Sequence, residues 1–360
     1  MKFIRSILIL AILALLLPAG NILAAGESGL DRYHSTTGPE PPPGVQPPRT
    51  DYDRTAIVGE VEVDITPYNW RHGCGPTAVG MVVGYYDSHG FPELIPGETD
   101  TQTAAVNQAI ASGGEINSPQ PPGHEGNCED YCLPKDSSTP NILDDAYITA
   151  HRTPHTDNCI ADYMHTSRST DNMRYGWSTG GRISPSFKDY VRSRCPSYRP
   201  TSHSYNWNEA NNWDDKWDTL RSEIDHNHPM VFLVDINGDD DTDHFVTIVG
   251  YRLRDGLREY GCKDTWNDTT RWERFRRISS AYKWGICCAY IYRIENGDGD
   301  GKWYVDYGTS SPIQIGNQGH PYNSLTKAIC AASPGDTIYV KGGIIDEAIN
   351  VEKKVTILKY

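Results

Sequence analysis

The sequence predicts an α+β fold, and three stretches carry that reading. From Pro76 to Tyr86 apolar residues occupy almost every other position behind an early proline, which describes a buried helix. Met230–Ile236 and Phe245–Tyr251 are rich in Val, Ile and aromatic residues, as strands of a sheet core are. Leu257–Lys263 and Ala289–Ile294 supply further strands. One early helix followed by several strands is an α+β layering.

In chain order, residues 1–25 read as a secretory signal peptide. Lys2 and Arg5 precede an apolar run that stops at Pro18 and Gly20, and the small residues Ala24 and Ala25 follow. The uninterrupted core from Ile7 to Leu17 is short for a bilayer, and no later stretch is apolar enough to span one, so no transmembrane domain is expected. Residues 26–55 form a Pro-rich tether, with PEPPPGVQPP at Pro39–Pro48 favouring extended polyproline backbone. Residues 56–296 are globular. The run NGDGDG from Asn296 opens a Gly/Asp linker, residues 297–303, and residues 304–360 form a second unit.

Within the globular part, Gly80 and Gly84 lie one turn apart on the first helix. Each costs about 1 kcal/mol relative to alanine, so both predict close packing against a neighbouring element. A second helix is predicted over Trp213–Asp225.

The formal charge of -14 argues against nucleic acid as a partner, because phosphate binding draws on clustered Lys and Arg. The one basic cluster, Arg271–Arg277, reads as a solvated face. Nine cysteines in an exported chain predict disulfides with one thiol left over. Cys128 with Cys132 and Cys159 with Cys195 are reasonable pairs, although eight cysteines allow 105 connectivities.

The strongest chemical signal is NWRHGCGPTAVGMVVGYYD, Asn69–Asp87, where Cys74 stands between two glycines and opens the buried helix. A helix N-terminus offers unpaired amides and a partial positive charge, which lower a thiol's pKa. Gly73 and Gly75 are expected to let substrate backbone approach the sulfur. The plainer alternative makes Cys74 half of a disulfide, and the odd cysteine count weighs against it.

A thiolate needs a histidine to hold and return the proton. His244 begins HFVTIVGY at the head of a predicted buried strand. Twenty residues on, KDTW places Asp264 beside Trp266 at the end of another. A carboxylate accepting from the second ring nitrogen would fix the tautomer. Taken singly, His244 reads equally well as a satisfied core histidine and Asp264 as a turn residue.

GCGPTA opening a helix, HFVTIVGY as a strand and Asp-Thr-Trp after it resemble the papain-like cysteine peptidases, and within them the bacteriocin leader-processing (peptidase C39-like) family. The resemblance covers about Val61–Arg293. It implies a papain-like fold, Cys74 as nucleophile, His244 as general base and acid, and Asp264 as the orienting residue. It also implies a peptide or protein substrate and no cofactor. Such enzymes place a polar side chain, usually glutamine, shortly before the cysteine to bind the oxyanion. Tyr68 and Asn69 stand there in this chain, and Asn69, one residue short of the usual spacing, takes that role in this reading. Leader processing is not implied, since the chain has a signal peptide and no transporter segment.

Hydrolysis and acyl transfer begin with the same thioester, and the sequence leaves both open. The rival function is a catalytically silent papain-like module used for binding or surface attachment.

Weaker patterns complete the inventory. Asp235–His244, DINGDDDTDH, spaces acidic oxygens as calcium loops do but lacks the terminal glutamate, so a solvated strand connection is the plainer reading. Its negative charge would also favour a protonated His244. His124, Cys128, Cys132, His151, His155 and Cys159 do not match common zinc spacings. Asn267 in NDT fits a glycosylation acceptor.

In the tail, Pro321–Ala332 reads as a capping helix, and Thr337–Val340, Ile349–Val351 and Val355–Leu358 as short strands. This resembles the opening of a right-handed parallel β-helix, similar to pectate-lyase-like and surface adhesin solenoids, truncated after a coil or two. The resemblance implies a carbohydrate or surface partner. Three or more coils are normally needed for stability, so the isolated tail is expected to be unstable.

Overall fold

The computed structural model describes residues 29–50, 52–112, 157–166, 176–195, 198–209, 212–295, 301–310, 316–332, 335–342 and 354–360, with the single residues 314 and 351. The proposed signal peptide, the Cys128–Cys132 pair and most of the zinc-type cluster lie outside the described residues, as does most of the linker.

Strand β1 (Ile57–Glu62) precedes the central helix α1 (Cys74–Ser88), which is two residues longer at each end than its apolar pattern. Helices α2 (Ala104–Ile110), α3 (Ile160–Met164) and α4 (Gly180–Arg194) follow, then β2 (Arg199–Asn206) and α5 (Trp213–Asp225). The sheet is completed by β3 (Met230–Asp235), β4 (His244–Arg254), β5 (Leu257–Lys263), β6 (Arg271–Arg274) and β7 (Gly285–Glu295). All its pairings are antiparallel, in the order β2-β7-β3-β4-β5-β6, with β1 added along the far half of β4.

Every residue of β3 and the first nine of β4 are buried, because the sheet is covered on both faces. On one face α1 is fastened to β4 by the Thr247 hydroxyl, which donates to the Ala78 carbonyl at 3.0 Å. On the other, Trp217 of α5 meets Tyr251 and Phe275 edge to face, joined by Trp207 and Phe232. Thr247 and Tyr251 would share a face in an unbroken strand. An irregularity between Ile248 and Gly250 shifts the β4–β5 register and sends them to opposite sides.

The two helical glycines pack as their spacing predicts. A methyl group on Gly80 would strike Ile110 of α2, and one on Gly84 would strike the Tyr68 hydroxyl. That hydroxyl donates to the Thr99 carbonyl at 2.7 Å. The disulfide expectation for Cys159 and Cys195 is corrected: neither forms a disulfide, nor does any other of the six cysteines whose side chains are described. Cys159 is instead fully buried as the residue capping α3.

The tail has its own apolar cluster, built from Trp303, Val305, Tyr322, Leu325, Ile329 and Ile338. Strands β8 (Lys302–Val305), β9 (Thr337–Val340) and β10 (Thr356–Lys359) pair in parallel beneath helix α6 (Leu325–Ala331). The helix predicted from Pro321 thus starts four residues later, behind the Ser324 side-chain cap. Most of Ile349–Val351 lies outside the described residues.

The tail touches the larger unit through the Tyr322 hydroxyl, which donates to the Gly90 carbonyl at 2.6 Å, and the Gln314 amide, which donates to Glu93. Each of these two hydrogen bonds contributes about 1 kcal/mol, so truncation after Gly301 should lower the larger unit's melting temperature by about 4–8 °C. A calorimetric loss several times larger would show that the tail belongs to the main core.

Candidate active site

The site forms where the first residue of α1 meets the first residue of β4. The loop into α1 is held tightly: the Trp70 amide donates to the Thr265 carbonyl, the Arg71 amide to the Thr77 hydroxyl, and that hydroxyl to the Gly73 carbonyl at 2.7 Å. Gly73 has φ 135°, a conformation only glycine adopts readily, and a methyl group there would lie 2.6 Å from the Gly176 carbonyl oxygen. A methyl on Gly75 would meet Met164 and Ser178 at about 3 Å. Both glycines therefore admit the protein's own chain, Gly176 against Gly73 and Met164 and Ser178 against Gly75, where the expectation was an approach by substrate.

Cys74 is fully buried and so is His244. Burial by itself raises the Cys74 thiol. The charge of His244, its hydrogen bond to the sulfur, the Phe245 amide and the Ser35 hydroxyl outweigh that penalty and bring the thiol below its ordinary value. The Phe245 amide donates to Sγ at 3.4 Å. The result is a sulfur at a helix N-terminus that is held toward thiolate by an imidazole and by amide dipoles.

The His244 ring is fixed from three directions. Nε2 donates to the Asp264 main-chain carbonyl at 2.8 Å, which places the proton on Nε2 and turns Nδ1 toward the sulfur side. Trp266 stacks on the ring with centroids 3.8 Å apart and planes 13° from parallel. Thr37 Oγ1 lies 2.6 Å from Nδ1 and 3.6 Å from Cys74 Sγ.

Asp264 thus reaches the histidine through its backbone, whereas the expected route was its carboxylate. That carboxylate is buried and occupied elsewhere. It accepts from the Trp266 and Asn267 amides, from the Asn267 side chain and from Arg271 Nε at 3.0 Å. The residue is a turn cap and half of an ion pair with Arg271, itself almost buried and stacked over Trp284. Arg271 is accordingly no part of a solvated basic face.

Asn69 is not brought to the pair. It is exposed, its main-chain N–H and C=O are both bonded to the Gln102 side chain, and among the described residues no contact joins it to Cys74 or His244. Tyr68 is turned away beneath Gly84.

The acidic run before His244 closes on itself. Asp235 accepts the amides of Asn237, Gly238 and Asp240, and Asp243 accepts the Ile236 amide and the Thr36 hydroxyl. Oxygens of Asp235, Asp239 and Asp243 come within 4.8 Å of one another. Burial pushes the Asp243 carboxyl up to about 6.

The model of the Peptidase_C39 like family matches residues 62–285, more than half of the chain. The chain belongs to that family. It is a cysteine peptidase of mixed α/β fold, with peptide or protein as its class of substrate. Among solved structures, xylellain, a cysteine protease from Xylella fastidiosa, aligns at 14% identity over 69% of this chain and 90% of its own, with a TM-score of 0.29. No curated protein matches the chain. No described helix is long and apolar enough to cross a membrane.

Sequence reasoning missed Ser35, Thr37 and the Asp264 carbonyl. A main-chain acceptor leaves no mark in a sequence, and the two hydroxyl residues stood in a stretch read as tether on its proline content. Trp266 was legible only as the neighbour of Asp264.

Because the carboxylate of Asp264 pairs with Arg271 while its carbonyl holds the ring, the two functions separate. Breaking a buried ion pair costs about 3–5 kcal/mol, so Asp264→Asn and Arg271→Ala should both lose stability on that scale in urea unfolding. The folded fraction of Asp264→Asn should keep its turnover within about tenfold, a change equivalent to about 1.4 kcal/mol. Loss of turnover with stability intact would return the carboxylate to the catalytic machinery.

Proposed function

We propose that this chain is an extracytoplasmic thiol peptidase that cuts a peptide amide through a thioester on Cys74. The observation that carries the reading is the lowered Cys74 thiol at the start of α1, held by the imidazole of His244. In the first step the thiolate attacks the substrate carbonyl carbon. The oxyanion that forms is stabilised by the Cys74 main-chain amide and the field of the helix N-terminus, which leaves the first-turn amides without helical partners.

His244 then gives its proton to the departing amine as the C–N bond breaks, leaving the thioester and a neutral imidazole. Water, deprotonated by the same ring, attacks the thioester and releases a carboxylate, and the thiolate–imidazolium pair returns. The Asp264 carbonyl and the face of Trp266 keep the ring in one plane and one tautomer through both steps. Asn69, exposed and bonded to Gln102, is left outside this mechanism. Acyl transfer differs only in the nucleophile that meets the thioester.

Export is read from the signal-peptide pattern of residues 1–25. The three parallel strands and capping helix of the tail support its reading as the start of a β-helix that engages carbohydrate or a surface.

Cys74→Ala should abolish hydrolysis of a quenched-fluorescence peptide library, and His244→Ala should reduce it by at least about a thousandfold. Because His244 lowers the thiol, iodoacetamide reactivity of Cys74 should persist below the ordinary thiol range and fall away only when acid protonates the thiolate. In His244→Ala the profile should move up by one pH unit or more. A profile identical in both proteins would show that the imidazole does not activate the sulfur.

A further inference from the structure

Strand β7 carries two adjacent cysteines, Cys287 and Cys288, that the proposed chemistry leaves unused. Both are fully buried and unbridged in this structure. Successive side chains of a regular strand point to opposite faces, which holds neighbouring sulfurs apart. Here the pairing with β3 slips by one residue. Leu233 faces Cys288 while Val234 faces Ile286, so Cys287 is the extra residue of a β-bulge. On the other flank the regular pairing with β2 ends at Asn206 and Cys288, and the Asn208 amide donates to the Cys287 carbonyl at 2.9 Å. The bulge swings the two side chains together, with their sulfurs 3.3 Å apart.

The surroundings hold both sulfurs in a poor place for thiols. The Cys287 thiol is pushed far above its ordinary range, first by its hydrogen bond to the Cys288 sulfur and then by burial. The Tyr290 hydroxyl beside the pair is raised by burial and by both sulfurs. S–H is a weak donor, so two buried thiols gain little from each other, and bonding the sulfurs removes both protons from an apolar site.

A bond between neighbours is also of a particular kind. Consecutive Cα atoms are about 3.8 Å apart across a trans peptide, short of the about 4.4–6.8 Å that relaxed disulfides span, so the bond is strained and correspondingly reducible. It closes almost no loop and therefore adds little chain-entropy stabilisation. Strained bonds of this sort open and close, where structural bridges stay shut.

We propose that Cys287 and Cys288 form a redox site, a dithiol that a disulfide oxidant closes into a bond between neighbouring residues and a thiol reductant opens again. One cysteine thiolate attacks the oxidant R–S–S–R, expels R–S⁻ and is left as a mixed disulfide. The second thiolate attacks that cysteine sulfur and expels the other R–S⁻. The pair gives up two electrons and two protons, and two R–SH form. The site lies two strands from the nucleophile on the same sheet: Leu233, which faces Cys288, also faces Phe245, whose amide donates to the Cys74 sulfur. It uses none of the residues proposed for catalysis.

The test uses the full chain, reduced with dithiothreitol in urea, refolded into glutathione disulfide, quenched with N-ethylmaleimide at mildly acid pH and digested with trypsin. Lys283 and Arg293 bound the peptide WGICCAYIYR, which holds these two cysteines and no other. After oxidation this peptide should be unlabelled and lighter than the dithiol by the mass of two hydrogens. Dithiothreitol before the quench should return it with a maleimide on each cysteine. Starting from the folded, reduced chain, closure should be at least about tenfold slower, because raising a thiol by one pH unit cuts its thiolate about tenfold. In Cys288→Ser the peptide should carry one maleimide or one glutathione and never lose two hydrogens.

A maleimide on each cysteine after oxidation overturns the inference, as does linkage of this peptide to one holding any other cysteine. A pair that closes in glutathione disulfide yet is a dithiol in protein collected outside the cytoplasm supports the redox site and counts against export into an oxidising compartment.

Discussion

The site depends on one fastening, the hydrogen bond from the Thr247 hydroxyl of β4 to the Ala78 carbonyl of α1. Thr247 stands three residues from His244 along the strand, and Ala78 about one helical turn from Cys74. Strand rise and helix rise are fixed by backbone geometry, so setting this contact sets the approach of sulfur to imidazole. The loop before α1 removes the remaining freedom. Gly73 turns with a positive φ because Gly176 lies against it, and Thr77 ties the loop to the first helical turn.

Much of this was legible in the residues. Apolar runs located α1, β3, β4 and β5 closely, because burial on both faces writes itself into composition. The helix over Trp213–Asp225 matched residue for residue, its Asn212 side chain capping the first amides. Cys74 and His244 were legible because the roles proposed for them, nucleophile and base, need particular side chains.

The part that failed to show in the sequence is main-chain chemistry. Asp264 was identified by its carboxylate, yet its carbonyl holds the ring, a task that any residue with the same backbone path performs. Proline content likewise describes the freedom of an isolated segment. It does not register a surface that pairs with the segment's amides and carbonyls. The cysteine count misled at Cys159, where sixfold burial of thiols in one described core reflects their packing as small apolar groups.

Trp266 links the base and the segment that lies over it. Its ring is stacked on His244 while its Nε1–H is bonded to Gly38. An indole face attracts a cation, and a protonated imidazole beside it quenches the excited indole by accepting an electron. The protein therefore carries an intrinsic optical probe beside Cys74 and His244, one whose emission intensity follows the charge on the histidine.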